Sequence, residues 1–246
     1  MKQTIVAVAI TLICALAVCG MGAYSQAFAK NRLVPIYCVD RNDGYVAISF
    51  DAAWGADKTR KIMDVCESYG VNATFFLVGF WVDKYPDVTQ EIATRGFEIG
   101  THSETHPQMS KLSAEEVKNQ LTSSSKKIFD LTGKPVNVFR PPFGDYNNQL
   151  LTVADQMGLY TVQWSVDSLD WKGLSASAIA QRVQTAKSGD IILCHNNSDH
   201  IVEALPLIFE SLKLKGLKFC PVGELIFKSD YYIDGAGKQI AKQPSE

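Results

Sequence analysis

Apolar residues along this chain alternate between two periods. Short β-branched and aromatic runs lie near 45–50, 72–77, 97–100, 136–140, 160–165, 190–194 and 217–221, and amphipathic stretches fill the gaps between them. Residues 56–70 place Ile62, Met63, Cys66 and Tyr69 at helical spacing and stop at Gly70, which predicts a helix with one buried face. Ser113-Ala114-Glu115-Glu116 reads as a capping box, opening a helix that carries Val117, Leu121, Ile128 and Leu131 before Gly133 and Pro135 end it. Such regular alternation predicts a largely parallel sheet, and about seven βα units favour a barrel or distorted barrel over an open doubly wound sheet. No G-x-G-x-x-G follows the first strand, so a dinucleotide fold lacks its marker. Residues 30–43 read as a linker or first strand, 44–228 as the domain, and 229–246 as a short strand and tail.

The N-terminus departs from this pattern. Lys2 precedes an almost unbroken apolar run from Ile5 to Met21, followed by a small and polar stretch ending Ala27-Phe28-Ala29. That is the layout of an export signal, removed after Ala29 or retained as an N-terminal membrane anchor. Either outcome places the domain outside the cytoplasmic membrane. Leu16-Ala17-Val18-Cys19 is a poor lipidation site, because Val precedes the cysteine where a small residue is needed. Beyond this segment four cysteines remain, Cys38, Cys66, Cys194 and Cys220, with no C-x-x-C spacing for a cysteine zinc site. Cys66 and Cys220 read as core residues. A net charge of -2 with no dense Lys/Arg cluster argues against nucleic acid as a partner.

Position carries the functional signal. Asp51, His102, Arg140, Asp167 with Asp170, and His195 each fall just past the C-terminal end of a predicted strand, where parallel α/β folds converge their active sites. His102 and His106 stand four residues apart, close enough on one helical turn to share a metal ion. Glu104 lies one place too late for the zincin H-E-x-x-H, and His200 reads as a loop residue. Asp51, emerging from an apolar strand, is a candidate general base or the cap of the next helix. Arg140-Pro141-Pro142-Phe143-Gly144 sets a guanidinium before a rigid turn, suited to holding a carboxylate and aiming backbone N–H groups at an oxyanion. Between Trp164 and Trp171 two carboxylates sit among indoles; an Asp paired with His195 would keep that imidazole protonated, ready to give a proton to a leaving amine. No G-x-S-x-G elbow and no P-loop occurs, which leaves an activated water as the nucleophile.

Ser49-Phe50-Asp51, His102 to His106 followed by Pro107, Arg140 to Gly144, Asp170-Trp171 and Leu193 to His195 resemble the five ordered motifs of polysaccharide deacetylases, carbohydrate esterase family 4, with a NodB-like domain. The Phe-Asp-x-x-Trp-Gly form of the first motif looks most like the sporulation-associated PdaB-like branch. The resemblance spans roughly residues 44–225 and implies a distorted (β/α)7 barrel, a divalent metal, usually zinc, and removal of N-acetyl groups from peptidoglycan or a related N-acetylglucosamine polymer. It implies Asp51 as base, His102 and His106 as metal ligands, Arg140 orienting Asp51, and His195 as general acid tuned by Asp170. Leu193 and Trp171 would receive the acetyl methyl, and the Phe143 N–H would stabilise the oxyanion. The expected protein is a monomer whose partner is the glycan and whose membrane contact is confined to the N-terminal segment. One position departs from the family: an Asp ligand directly follows the base there, and here stands Ala52. Asp57, Asn196 and Asp199 are nearby in sequence as substitutes. The loss leaves a second reading open, a catalytically impaired relative that binds cell-wall glycan.

Overall fold

The strand Tyr45–Ala52 converts a two-residue period into two faces. Val46, Ile48, Phe50 and Ala52 pack in a core between sheet and helices, whereas Ala47 joins a second core with Phe76, Val138 and Ile191 on the opposite face. Ser49 and Asp51 alternate with the first set and therefore share the face of Ala47. In the computed structural model, residues 32–242 are described, and the N-terminal segment with its signal or anchor reading lies outside them. Among the described residues no helix is long and apolar enough to cross a membrane.

In chain order the strands are β1 (Cys38–Val39), β2 (Tyr45–Ala52), β3 (Thr74–Leu77), β4 (Glu98–Thr101), β5 (Val138–Phe139), β6 (Tyr160–Thr161), β7 (Val166–Asp167), β8 (Ile191–His195), β9 (Lys218–Phe219), β10 (Tyr231–Ile233) and β11 (Lys238–Ala241). The main helices are α1 (Thr59–Ser68), α2 (Gly79–Lys84), α3 (Pro86–Thr94), α4 (Ala114–Thr132), α5 (Asn148–Gln156), α6 (Ala176–Val183) and α7 (Ile201–Leu214). The large sheet runs β6-β5-β4-β3-β2-β8-β7 with every neighbour parallel, and β9 pairs with the start of β2. It curls as an α/β half-barrel, its inner face filled by Ile36, Ala47, Phe76, Val138, Val162 and Ile191 and its outer face clothed by helices. The capping box at Ser113 is present, with Ser113 Oγ accepting from Glu116 N–H and the Glu116 carboxylate accepting from Ser113 N–H, and Gly133 ends α4 in the left-handed conformation.

Two expectations change. The single strand near 160–165 is two pieces, β6 and β7, bent apart at residues 162–165. Val162 N–H donates to Phe139 and Gln163 N–H to Ile36, but Ser165 N–H already donates to Ile191, so one stretch of chain serves both ends of the curled sheet. The tail is also more ordered than its composition suggests: β10 and β11 form an antiparallel pair, and β11 lies parallel to β1 in a separate three-stranded sheet. Alternation is unreadable there because strands this short span only one or two repeats. Cys66 and Cys220 are buried as expected, and all four described cysteines are free thiols.

Gly100 on β4 faces the interior, where an added Cβ would lie 2.6 Å from the Phe76 ring and 2.9 Å from Val138. Gly100→Ala is therefore expected to destabilise the fold by about 1–3 kcal/mol through overpacking. Urea unfolding reads this directly; an unchanged midpoint would show that Phe76 is free to shift.

Candidate active site

The inward-facing residues at the C-terminal ends of β2, β4, β5 and β8 meet in one place. Asp51 and His195 are register partners on β2 and β8, while His102 and Arg140 directly follow β4 and β5, and the Arg140 N–H donates to Thr101 at 3.0 Å. Arg140 is fully buried at 0% exposure. Its Nη1 donates to Asp51 Oδ1 at 2.7 Å and its Nη2 to the Gln163 carbonyl at 3.0 Å, with the Phe76 ring 4.2 Å from the guanidinium carbon. Burial pushes the Asp51 carboxyl upward, but the charge of Arg140, joined by His102 and His195, outweighs it and holds the group below the usual carboxylate range. Asp51 is thus a carboxylate at neutral pH. It caps no helix, since α1 begins at Thr59 behind Lys58.

His102 donates Nδ1–H to the Arg140 carbonyl at 2.7 Å, an assignment that follows because a carbonyl only accepts. The lone pair is left on Nε2, 3.5 Å from Asp51 Oδ2. Burial lowers the His102 pKa, and burial together with His102 pushes His106 down to about 4, so both imidazoles are neutral near pH 7. The pair does not lie on a helical turn. Ser103 and His106 adopt left-handed φ values of 69° and 57°, and the Ser103 hydroxyl accepts from His106 N–H at 3.0 Å, so a tight loop folds the second ring back to 4.9 Å from the first.

Two acceptor atoms facing each other across 3.5 Å, with a second neutral imidazole alongside, are a donor set suited to a divalent cation. His102 and His106 fit such an ion as a pair. Among the described residues no group of three His, Cys, Asp or Glu gathers to hold one. Ala52 packs its methyl in the core between sheet and helices. Asp57 is exposed and lies outside the cleft, Asp199 is taken by Lys58 Nζ at 3.0 Å, and Asn196 Nδ2 donates to the Gly55 carbonyl and Thr59 hydroxyl.

On the other side of Asp51, His195 closes β8. Its backbone N–H donates to Asp170 Oδ2 and its Nδ1–H to Asp170 Oδ1, both at 2.8 Å. Burial works against a charged ring, but the hydrogen bond and negative charge of Asp170, with Asp51, prevail and raise the His195 pKa. Asp170 is itself fixed, its N–H held by the Ser168 hydroxyl and its carbonyl by Ser198, on a turn entered through Leu169 at φ 51°.

Asp51, His102, His106, Asp170 and His195 line a cleft of about 590 Å³ together with Phe143, Trp171 and Leu193, and Arg140 lies behind it. The left-handed turn at Phe143 uses the Gly144 and Asp145 N–H groups for its own hydrogen bonds, to Pro141 and Pro142. Asp167 lines the cleft as well, but its Oδ1 is engaged with Leu169 N–H; His200 lies outside it, at the start of α7. Sequence reasoning missed the Gln163 carbonyl, the two serines around Asp170, and Trp54, which reaches the cleft wall. Backbone acceptors leave no trace in side-chain patterns. Trp54 did have a signal, the unusual Trp-Gly after the base.

A family model described as polysaccharide deacetylase matches residues 39–162. The chain belongs to the polysaccharide deacetylase family. It is 36% identical over 183 residues to a peptidoglycan-N-acetylglucosamine deacetylase of Bacillus cereus, covering 72% of this chain and 66% of that protein. It is 35% identical over 199 residues to the peptidoglycan-N-acetylglucosamine deacetylase PgdA of Listeria monocytogenes, covering 80% of this chain and 40% of that one. The chain therefore spans less than two thirds of the length of these relatives. Among solved structures, a mutant of BA3943, a family pseudoenzyme from Bacillus anthracis, with restored enzymatic activity superposes with a TM-score of 0.75 at 35% identity, covering 78% of this chain and 71% of that one.

Because its folded pKa is raised, the charged His195–Asp170 pair stabilises the fold fully below the ordinary histidine value and fades as pH rises through the raised one. Asp170→Asn is expected to bring the His195 titration, followed by NMR of its ring protons, below that of the native protein. An unmoved midpoint would remove Asp170 as the tuning group.

Proposed function

We propose that this chain is a metal-dependent N-deacetylase acting on peptidoglycan or a related N-acetylglucosamine polymer outside the cytoplasmic membrane. One observation carries the reading: a single cleft holds a carboxylate ion-paired to Arg140 and an imidazole whose charged form is favoured by its hydrogen bond to Asp170, on the ends of neighbouring strands. Amide hydrolysis needs such a pair, a base to take a proton from water and an acid to give one to the nitrogen.

In this reading Asp51 takes a proton from the water that attacks the acetyl carbonyl, and Arg140 keeps the carboxylate aimed. The Phe143 N–H, which the turn leaves unused, receives the developing oxyanion. His195 protonates the departing sugar nitrogen, which leaves as a free amine while acetate forms. Leu193 and Trp171 offer an apolar seat for the acetyl methyl. His102 and His106 would hold the divalent ion, zinc in our reading, whose chemistry there is Lewis-acid polarisation of water and carbonyl. With Ala52 in place of a third ligand the ion is held less tightly than by a three-ligand set. The names of the relatives support peptidoglycan as the substrate, and the form of the first motif supports a role in the spore wall. The structural likeness to a pseudoenzyme favours one competitor, a glycan-binding relative without turnover.

Acetate release by the full chain from N-acetylated glycan oligomers and peptidoglycan is expected to stop with chelator and return with zinc or cobalt. Asp51→Asn is expected to lower kcat by about 10²–10⁴-fold with the fold intact. No release under any metal from folded, glycan-retained protein would replace the deacetylase with the binding reading. Calorimetric titration with zinc is expected to show saturable uptake that His106→Ala abolishes; uptake unchanged in that variant would place the ion elsewhere.

A further inference from the structure

Trp54 is 61% exposed, yet the residue that follows it is held by two buried side chains. The Gly55 carbonyl accepts from Trp81 Nε1 at 2.6 Å and from Asn196 Nδ2 at 2.9 Å, and both of those side chains are buried. Gly55 has φ 64°, a conformation that favours glycine, and an added Cβ would meet the Asn197 side-chain amide at 2.8 Å. Two buried side chains thus fix the backbone directly after Trp54, whose own ring stays in solvent.

The ring of Trp54 continues a row along one cleft wall. It packs edge-on against His106 at 5.0 Å between ring centres, and His106 packs against Phe143 at 4.5 Å. Phe143, at 64% exposure, and Trp171, at 58%, line the same cleft, so three of the exposed large aromatics surround one opening. Asp51 lies deeper, at 7% exposure, and His195 is half-buried beside it. A flat, rigidly presented indole at the rim has an electron-rich face that suits the C–H face of a pyranose ring, and its ordering cost is already met by the fold.

We propose that Trp54 is a substrate-positioning platform that stacks on a sugar ring of the glycan other than the one that loses its acetyl group. This rests on reading the cleft as a glycan site. Trp54 sets the preference for longer oligomers, because only a chain extending past the reacting sugar reaches the rim.

Calorimetry of the full chain with N-acetylglucosamine monomer and its β-1,4-linked pentamer tests it, alongside acetate release. Trp54→Ala is expected to weaken pentamer binding by about tenfold and monomer binding much less, as truncation of an aromatic anchor in an interface does. Trp54→Phe should recover most of the loss, and Tyr232→Ala, an exposed aromatic outside the cleft, should bind as the native chain does. Unchanged pentamer affinity in Trp54→Ala, an equal loss on monomer and pentamer, or no binding of pentamer by the native chain would overturn the proposal. Native chain that binds pentamer in a Trp54-dependent way without releasing acetate would overturn the deacetylase reading and leave the platform standing.

Discussion

A guanidinium with no exposed surface has to be neutralised and hydrogen-bonded where it lies, and the site is arranged around that demand at Arg140. One arm of the fork goes to Asp51, the other to a carbonyl at the bend between β6 and β7, and the flat face lies on Phe76. The backbone carbonyl of the same residue takes the Nδ1–H of His102 and so selects its tautomer. A single buried residue thereby favours the charged form of Asp51 and fixes the orientation of one candidate metal ligand and the junction of two sheet segments. Gly100 completes the arrangement by leaving room for Phe76 to lie beneath the cation.

The opposite wall works by the reverse electrostatics. Asp170 holds both the backbone and the ring of His195, so the imidazole is favoured in its charged form while Asp51, next to it in register, is favoured in its own. Two groups with opposed protonation preferences, close together in a partly dry cleft, are a common signature of hydrolytic sites. Ala52, directly after Asp51, faces away from this cleft. Its methyl lies on the outer face of β2 among apolar side chains, so the end of the strand offers Asp51 but no second carboxylate to the imidazole pair.

The alternating strand and helix pattern was readable because each parallel strand is short, apolar and followed by an amphipathic helix with clear stops. The capping box at Ser113 and the left-handed Gly133 are local features, and local features survive the passage to three dimensions. The bend at residues 162–165 and the pairing of β1 with β11 were not readable, since both depend on partners far away in the chain. His102 and His106 were correctly grouped but wrongly placed on a helix. Their proximity comes from positive φ at Ser103 and His106, a strain that nothing in the identity of those residues announces.

The sequence by itself determined the order of elements, which residues alternate onto the inner face, and hence that Asp51, His102, Arg140 and His195 would stand at strand ends. It could do so because strand period and chain order are properties of the chain alone. Only the tertiary structure decided which of these groups is charged, which ring nitrogen is free, that Ala52 turns away from the imidazoles, and that Trp54 stands at the rim. Protonation and exposure depend on neighbours brought together across sequence separations of tens to more than a hundred residues, and on how much water the packing leaves between them.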